Sequence, residues 1–182
     1  MRRVTYSMGM SLDGYTIGPD GRFDWTAPDP EVFGFSIEEI KGVGVHLLGR
    51  RLYESMLYWE DAPELDEAQR EWAGLWNPLP KVVFSRTLSA VRGNARLASG
   101  GPVEEIERLR AEPGEGTIAI GGADLAAQVA HLIDEYRIRI FPVLVGGGTP
   151  YFAHAGSRSD LELLETRTFA SGIVFHHYRV VR

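Results

Sequence analysis

The sequence predicts an α/β protein: a mostly parallel sheet covered on both faces, with an antiparallel C-terminal edge. Two observations predict it. Short apolar segments alternate with helix-patterned ones through most of the chain, as parallel strands joined by crossover helices require. At the end, two strand-like segments flank Ala170-Ser171-Gly172, which suggests a hairpin. The 182 residues contain no low-complexity linker and no internal repeat, so a single domain over 1–182 is expected.

Val4 to Met10 reads as the first strand and runs into a long loop, Ser11 to Trp25, rich in Gly, Asp and Pro. Within Glu31 to Lys41, Val32, Phe35, Ile37 and Ile40 fall on one helical stripe. Val45 to Leu48 is a short buried strand ending at Gly49. Arg50 to Trp59 and Leu65 to Trp76 read as helices, the second stopped by Asn77-Pro78. Then come a strand at Lys81 to Ser85, an amphipathic helix at Val103 to Glu112, a strand at Thr117 to Ile120, a helix at Ala123 to Ile133 and a strand at Arg137 to Val145. Leu161 to Thr168 and Ile173 to Val181 supply the hairpin.

Composition removes several function classes. Hydrophobic residues at 44% and charged residues at 24% fit a folded globular chain. A net charge of -6 argues against nucleic acid as partner, while a few local arginines leave room for a small anionic ligand. The absence of cysteine excludes disulfides, thiolate metal sites and thiol nucleophiles. His46, His131 and His154 lack metal-ligand spacing, and adjacent His176 and His177 face opposite sides of a strand, so no metal is expected. No apolar run could span a membrane and no signal-like segment follows Met1-Arg2-Arg3, so the cytoplasm is the expected compartment.

Three expected strands end in glycine or small polar residues: Gly49-Arg50-Arg51, Ser85-Arg86-Thr87 and Gly121-Gly122-Ala123. Open α/β sheets bind ligands at that edge. Glycine lets a phosphate approach the backbone, and a helix start offers unpaired N–H groups. Gly121, Gly122 and Ala123 therefore read either as a pyrophosphate cradle or as a bare tight turn, with Asp124 opposing a phosphate or favouring the helix start. Arg50, Arg51 and Arg86 either suit a ribose monophosphate, which favours NADPH over NADH, or are solvated surface charges; their shared position past strand ends supports the former. A Rossmann reading fails, because no G-x-G-x-x-G follows the first strand.

Five segments in order resemble the dihydrofolate-reductase-like superfamily, and most closely the C-terminal reductase domain of the RibD-type riboflavin-biosynthesis enzymes and its stand-alone bacterial relatives. They are Ser7 to Trp25, Gly49 to Ser55, Lys81 to Thr87, Ile118 to Gln128 and Phe141 to Phe152. Leu52 departs from the threonine usual at its position. The resemblance implies the three-layer dihydrofolate reductase-like fold, NADPH as cofactor, a homodimer, and a substrate with a pyrimidine, pteridine-like or related conjugated ring.

It also implies roles. Gly49, Arg50, Arg51, Ser85 and Arg86 would serve the adenosine end, and Gly121, Gly122, Ala123 and Asp124 the pyrophosphate. Ile17 and Gly18 would touch the nicotinamide beneath a closing loop from Asp13 to Trp25. Asp29 or Asp13 would orient the proton source, although Asp29 equally suits a helix N-cap before Pro30 and Asp13 an Asx turn. Trp25, Phe33 and Tyr53 would wall a flat substrate or else belong to the core, and Gly147 and Gly148 would form the opposite lip. Two rivals remain: a non-catalytic nucleotide-binding relative, and a reductase of an unrelated small molecule.

Overall fold

A computed structural model describes residues 1–153 and 158–182. His154, weighed above as a metal ligand, lies outside them. The strands are β1 (Val4–Ser11), β2 (Tyr15–Ile17), β3 (Val43–Gly49), β4 (Lys81–Phe84), β5 (Ala95–Leu97), β6 (Thr117–Gly121), β7 (Glu135–Phe141), β8 (Thr149–Pro150), β9 (Leu161–Thr168) and β10 (Val174–Val180). The helices are α1 (Pro30–Ile40), α2 (Arg50–Met56), α3 (Tyr58–Asp61), α4 (Glu67–Trp76), α5 (Pro102–Ala111) and α6 (Ala123–Gln128).

Among the described residues, eight strands form one sheet in the order β5-β4-β3-β6-β1-β7-β10-β9. The first six run parallel, and β10 and β9 close the edge antiparallel. This is the expected mixed α/β architecture. β2 and β8 form a separate short ribbon.

The strands' period-two alternation sorts side chains onto two faces. One face joins Val4, Tyr6, Leu47, Ile118, Ile120 and Ile138 with Ile106 and Leu109 of α5 and Leu125 of α6 in one large apolar cluster. The other face carries two smaller clusters. Leu48 and Val83 pack with Tyr53 of α2 and Trp76 of α4, while Phe141 and Phe175 pack with Val32 of α1. Between them, β1 and β7 present Thr5, Ser7, Arg137 and Arg139 beneath α1.

The helix starts follow the sequence chemistry. Asp29 caps α1 by accepting from the Val32 N–H at 2.9 Å, with Pro30 in the first turn. Asp66 and Gln69 close a capping box on α4, so that helix begins at Glu67 rather than Leu65. Other boundaries differ too. The strand expected to reach Val145 ends at Phe141, because Pro142 brings no N–H. The helix from Ala123 stops at Gln128, since Val129 leaves helical geometry (φ -122°, ψ 20°) and a 3-10 turn follows. The helix expected over Arg50 to Trp59 is divided into α2 and α3 at Leu57.

Candidate functional site

The order β4-β3-β6 brings the three glycine- and arginine-bearing strand ends side by side. Gly49 lies opposite Phe84, and Leu48 opposite Gly121. Sequence separations of more than thirty residues thus collapse onto one edge.

The two glycines of the β6–α6 turn do different work. Gly122 sits at φ +101° with open space where a Cβ would project. Left-handed backbone of this kind favours glycine. A Cβ on Gly121 would lie 2.4 Å from Leu52 Cδ2 and 2.9 Å from His46 Cε1, so its smallness serves the packing of α2. Leu52, the residue in place of threonine, is the side chain that fills this space. Ala123 is buried in the first turn of α6, and Asp124 is exposed there.

The nearby polar groups divide into committed and free. Arg50 binds Glu54 Oε1 at 2.8 Å and Thr87 Oγ1 at 2.7 Å. Ser85 Oγ accepts from the N–H groups of Thr87 and Leu88. The exposed guanidinium groups of Arg51 and Arg86 form no ion pair or side-chain hydrogen bond among the described residues.

The β1–α1 segment is pinned through its first third. Asp13 accepts from the N–H groups of Val145 and Gly146, the latter at 2.7 Å. Tyr15 and Ile17 pair with Pro150 and Thr149. Gly148, at φ +112°, presses so closely that a Cβ would fall 2.0 Å from the Ile17 carbonyl oxygen. Ile17-Gly18 and Gly147-Gly148 are therefore two sides of one clasp. This narrows the expectation of a loop closing from Asp13 onward: residues 13–18 are held by the clasp, and the exposed residues 19–24 lie beyond it.

Neither expected acid is arranged as a proton reservoir. A hydrogen bond from Ser11, together with the backbone bonds, holds the Asp13 carboxyl below its ordinary range. Ser171 and the Val32 N–H do the same for Asp29, whose observed task is the helix cap.

The aromatic residues also separate. Tyr53 is 4% exposed, and its hydroxyl accepts from the Arg92 N–H at 2.8 Å, so it is a core residue and not a pocket wall. Trp25 packs edge-on to Phe141 at 5.8 Å. Phe33 stacks on Trp59 at 6.1 Å and tilts onto Trp72 at 5.8 Å.

Sequence reasoning missed a polar group under α1. Glu39 pairs with Arg139 and approaches Arg137 at 3.6 Å. Ser7, His46, Arg137 and Arg139 line a cavity with Glu39, Trp72 and Trp76. Burial lowers the His46 pKa to about 4, so its ring is neutral at physiological pH. The available signal was the alternation of Glu135, Arg137 and Arg139 in a strand with neighbours on both sides.

The RibD C-terminal domain family matches residues 2–175. This chain belongs to that family. It is 31% identical over 175 residues to uncharacterized protein YyaP of Bacillus subtilis (strain 168), covering 95% of this chain and 92% of YyaP. The fold is similar to a diaminohydroxyphosphoribosylaminopyrimidine deaminase/5-amino-6-(5-phosphoribosylamino)uracil reductase of Thermotoga maritima. That match has a TM-score of 0.71 at 13% identity, over 99% of this chain and 57% of the other. It is also similar to dihydrofolate reductase from Enterococcus faecalis complexed with NADP(H), with a TM-score of 0.63 at 16% identity over 99% and 97% of the two chains. The RibD-type chain thus has a dihydrofolate reductase-like fold. Among the described residues no helix is long and apolar enough to cross a membrane.

Proposed function

We propose that this RibD-type protein is a reductase that takes NADPH and reduces a conjugated heterocycle of pyrimidine or pteridine-like type. The observation that carries the reading is the junction of three strand ends at Gly49, Ser85 and Gly121, with two unpaired guanidinium groups beside it. Bound NADPH would supply the hydride, and the protein orients and shields.

The residues present fit such a cofactor. Gly122 leaves its Cβ side open, so Gly121, Gly122 and Ala123 can carry a pyrophosphate on backbone. Arg51 and Arg86, supported by Gly49, Arg50 and Ser85, suit the adenosine phosphate, each guanidinium–phosphate contact contributing roughly 1.5–3 kcal/mol. Asp124 is exposed, so its charge is solvated. The Ile17-Gly18 and Gly147-Gly148 clasp would close the nicotinamide side. Asp13 and Asp29 act here as anchor and cap, and the proton comes from water. Trp25 and Phe33 are the aromatic residues left to flank a flat substrate. The reading includes a cytoplasmic homodimer, with β9, exposed along nearly its whole length, as a free edge.

The test is NADPH oxidation with a panel of pyrimidines, pterins and quinones. Turnover of a pyrimidine or pterin is expected, and turnover of quinones alone would replace the substrate class. Leu52 favours a second reading, a nucleotide-binding relative without catalysis, because it fills the space beside Gly121 with a group that cannot hydrogen-bond. NADPH binding without oxidation of any panel member would select that second reading.

A further inference from the structure

The three arginines at the junction of β3 and β4 are not in the same state. Arg51 and Arg86 are exposed and unpaired among the described residues. Arg50 is held on two sides. Its Nε donates to Glu54 Oε1 at 2.8 Å, and its Nη1 donates to Thr87 Oγ1 at 2.7 Å. Thr87 belongs to the turn that ends β4, where its N–H donates to Ser85 Oγ at 3.2 Å. Arg50 therefore ties the start of α2 to the segment that carries Arg86.

Glu54 reaches this place for a helical reason. Arg50 opens α2, and the residue four positions on lies one turn along the same face. The two side chains keep 48% and 42% of their surface exposed, so the pair is worth little to the fold. Its consequence is for charge. Among the described residues, Glu54 is the one carboxylate paired with any of the three arginines.

An acid and an arginine ask opposite things of an adenosine ribose. A carboxylate accepts from a free 2′-hydroxyl and repels a 2′-phosphate, whereas a guanidinium binds the phosphate. This junction holds both: two free guanidinium groups, and a third whose charge Glu54 offsets.

We propose that Glu54 sets the cofactor preference of the junction. It is a positioning residue that keeps Arg50 turned toward α2 and Thr87 and leaves the phosphate to Arg51 and Arg86. NADPH is then preferred over NADH by less than three free arginines would give. The proposal rests on the dinucleotide reading of this junction and adds to it a residue that tunes it.

The experiment is calorimetry of the full chain with NADPH and NADH, at about 0.02 M and about 0.5 M salt. The proteins are the parent, Glu54→Gln, Arg50→Met and the double variant. Glu54→Gln keeps the shape and removes the charge. At low salt it should tighten NADPH about three- to five-fold and leave NADH within about two-fold, so the preference rises. High salt should shrink the gain. In the Arg50→Met background the gain should vanish, because it acts through that guanidinium. Melting followed by circular dichroism should move by no more than about 2 °C in Glu54→Gln, as for an exposed helix pair. A merely structural role would instead shift both nucleotides alike. An NADPH-to-NADH preference unchanged in Glu54→Gln, or a gain that survives in the double variant, overturns the role of Glu54 while NADPH binding by the parent upholds the dinucleotide reading. Binding of neither nucleotide by the parent overturns both.

Discussion

On the face toward α5 and α6, Val4, Tyr6, Leu47, Ile118, Ile120 and Ile138 close into one apolar cluster. On the face toward α1 and α4, neighbours in the same strands are Thr5, Ser7, His46, Ala119, Arg137 and Arg139. The first face hides about as much surface as its side chains allow and holds the sheet together. The second is split by a polar strip and encloses space. Dense apolar packing leaves little room for a charge, whereas a buried charge is costly unless it is paired. The division of labour therefore follows from single-residue alternation along β1, β3, β6 and β7.

Substitutions should expose that difference. The largest effect is expected on the closed face. Ile120→Ala should cost about 4 kcal/mol in urea unfolding, whereas Ser7→Ala, on the opposite face, should cost under about 1 kcal/mol. Next comes the buried ion pair. Glu39→Ala should cost about 2 kcal/mol by stranding Arg139, and joint replacement of both by leucine should recover much of it. If the joint replacement is no better than the single one, the strip is holding the fold and not only enclosing space.

The polar face should also carry the pH dependence. The His46 pKa is lowered to about 4 in the folded state, so the unfolded chain binds its proton first. Stability is then present above about pH 6.5 and falls as pH drops through 4, by about 3 kcal/mol. Melting curves of His46→Leu should lack that fall. At lower pH Glu135 takes over. Burial raises its pKa, but hydrogen bonds from His177 and Arg179 and the charge of Arg3 outweigh it, and the carboxyl is held below its ordinary range. Its contribution is present above the ordinary carboxylate pKa and is lost as pH falls through the lowered one. A smaller effect is expected at Tyr53→Phe, about 1 kcal/mol from the lost bonds to the Arg92 backbone, with cofactor binding unchanged.

Much of the scaffold was legible because its signals are local. Asp29-Pro30 announces a helix start, and Gly49, Ser85 and Gly121 punctuate strand ends, so the junction of those strand ends could be assembled from sequence order. β5 was not legible. Its three residues form a strand only through pairing with β4, where Lys81 meets Ala95. The clasp was hidden for the same reason, since Asp13 meets Gly146 across 133 positions. Tyr53 falls at a helical spacing that suits core more often than pocket, and its burial and its bonds to Arg92 place it in the core. The strip was half visible. Arg137 and Arg139 alternate with isoleucines, yet a charge in a strand reads as solvated until Glu39, about a hundred residues away, is placed against it.

The central claim is that the junction of β3, β4 and β6 holds a phosphorylated dinucleotide. Calorimetry with NADPH, NADH and adenosine 2′-monophosphate, on the parent and on Arg86→Ala, tests it most directly. The account predicts NADPH binding tighter than NADH, measurable binding of the monophosphate, and at least a ten-fold loss of both phosphorylated ligands in Arg86→Ala, with stability unchanged to within about 0.5 kcal/mol. Binding of none of the three ligands, or equal affinity for NADPH in parent and variant, would contradict it.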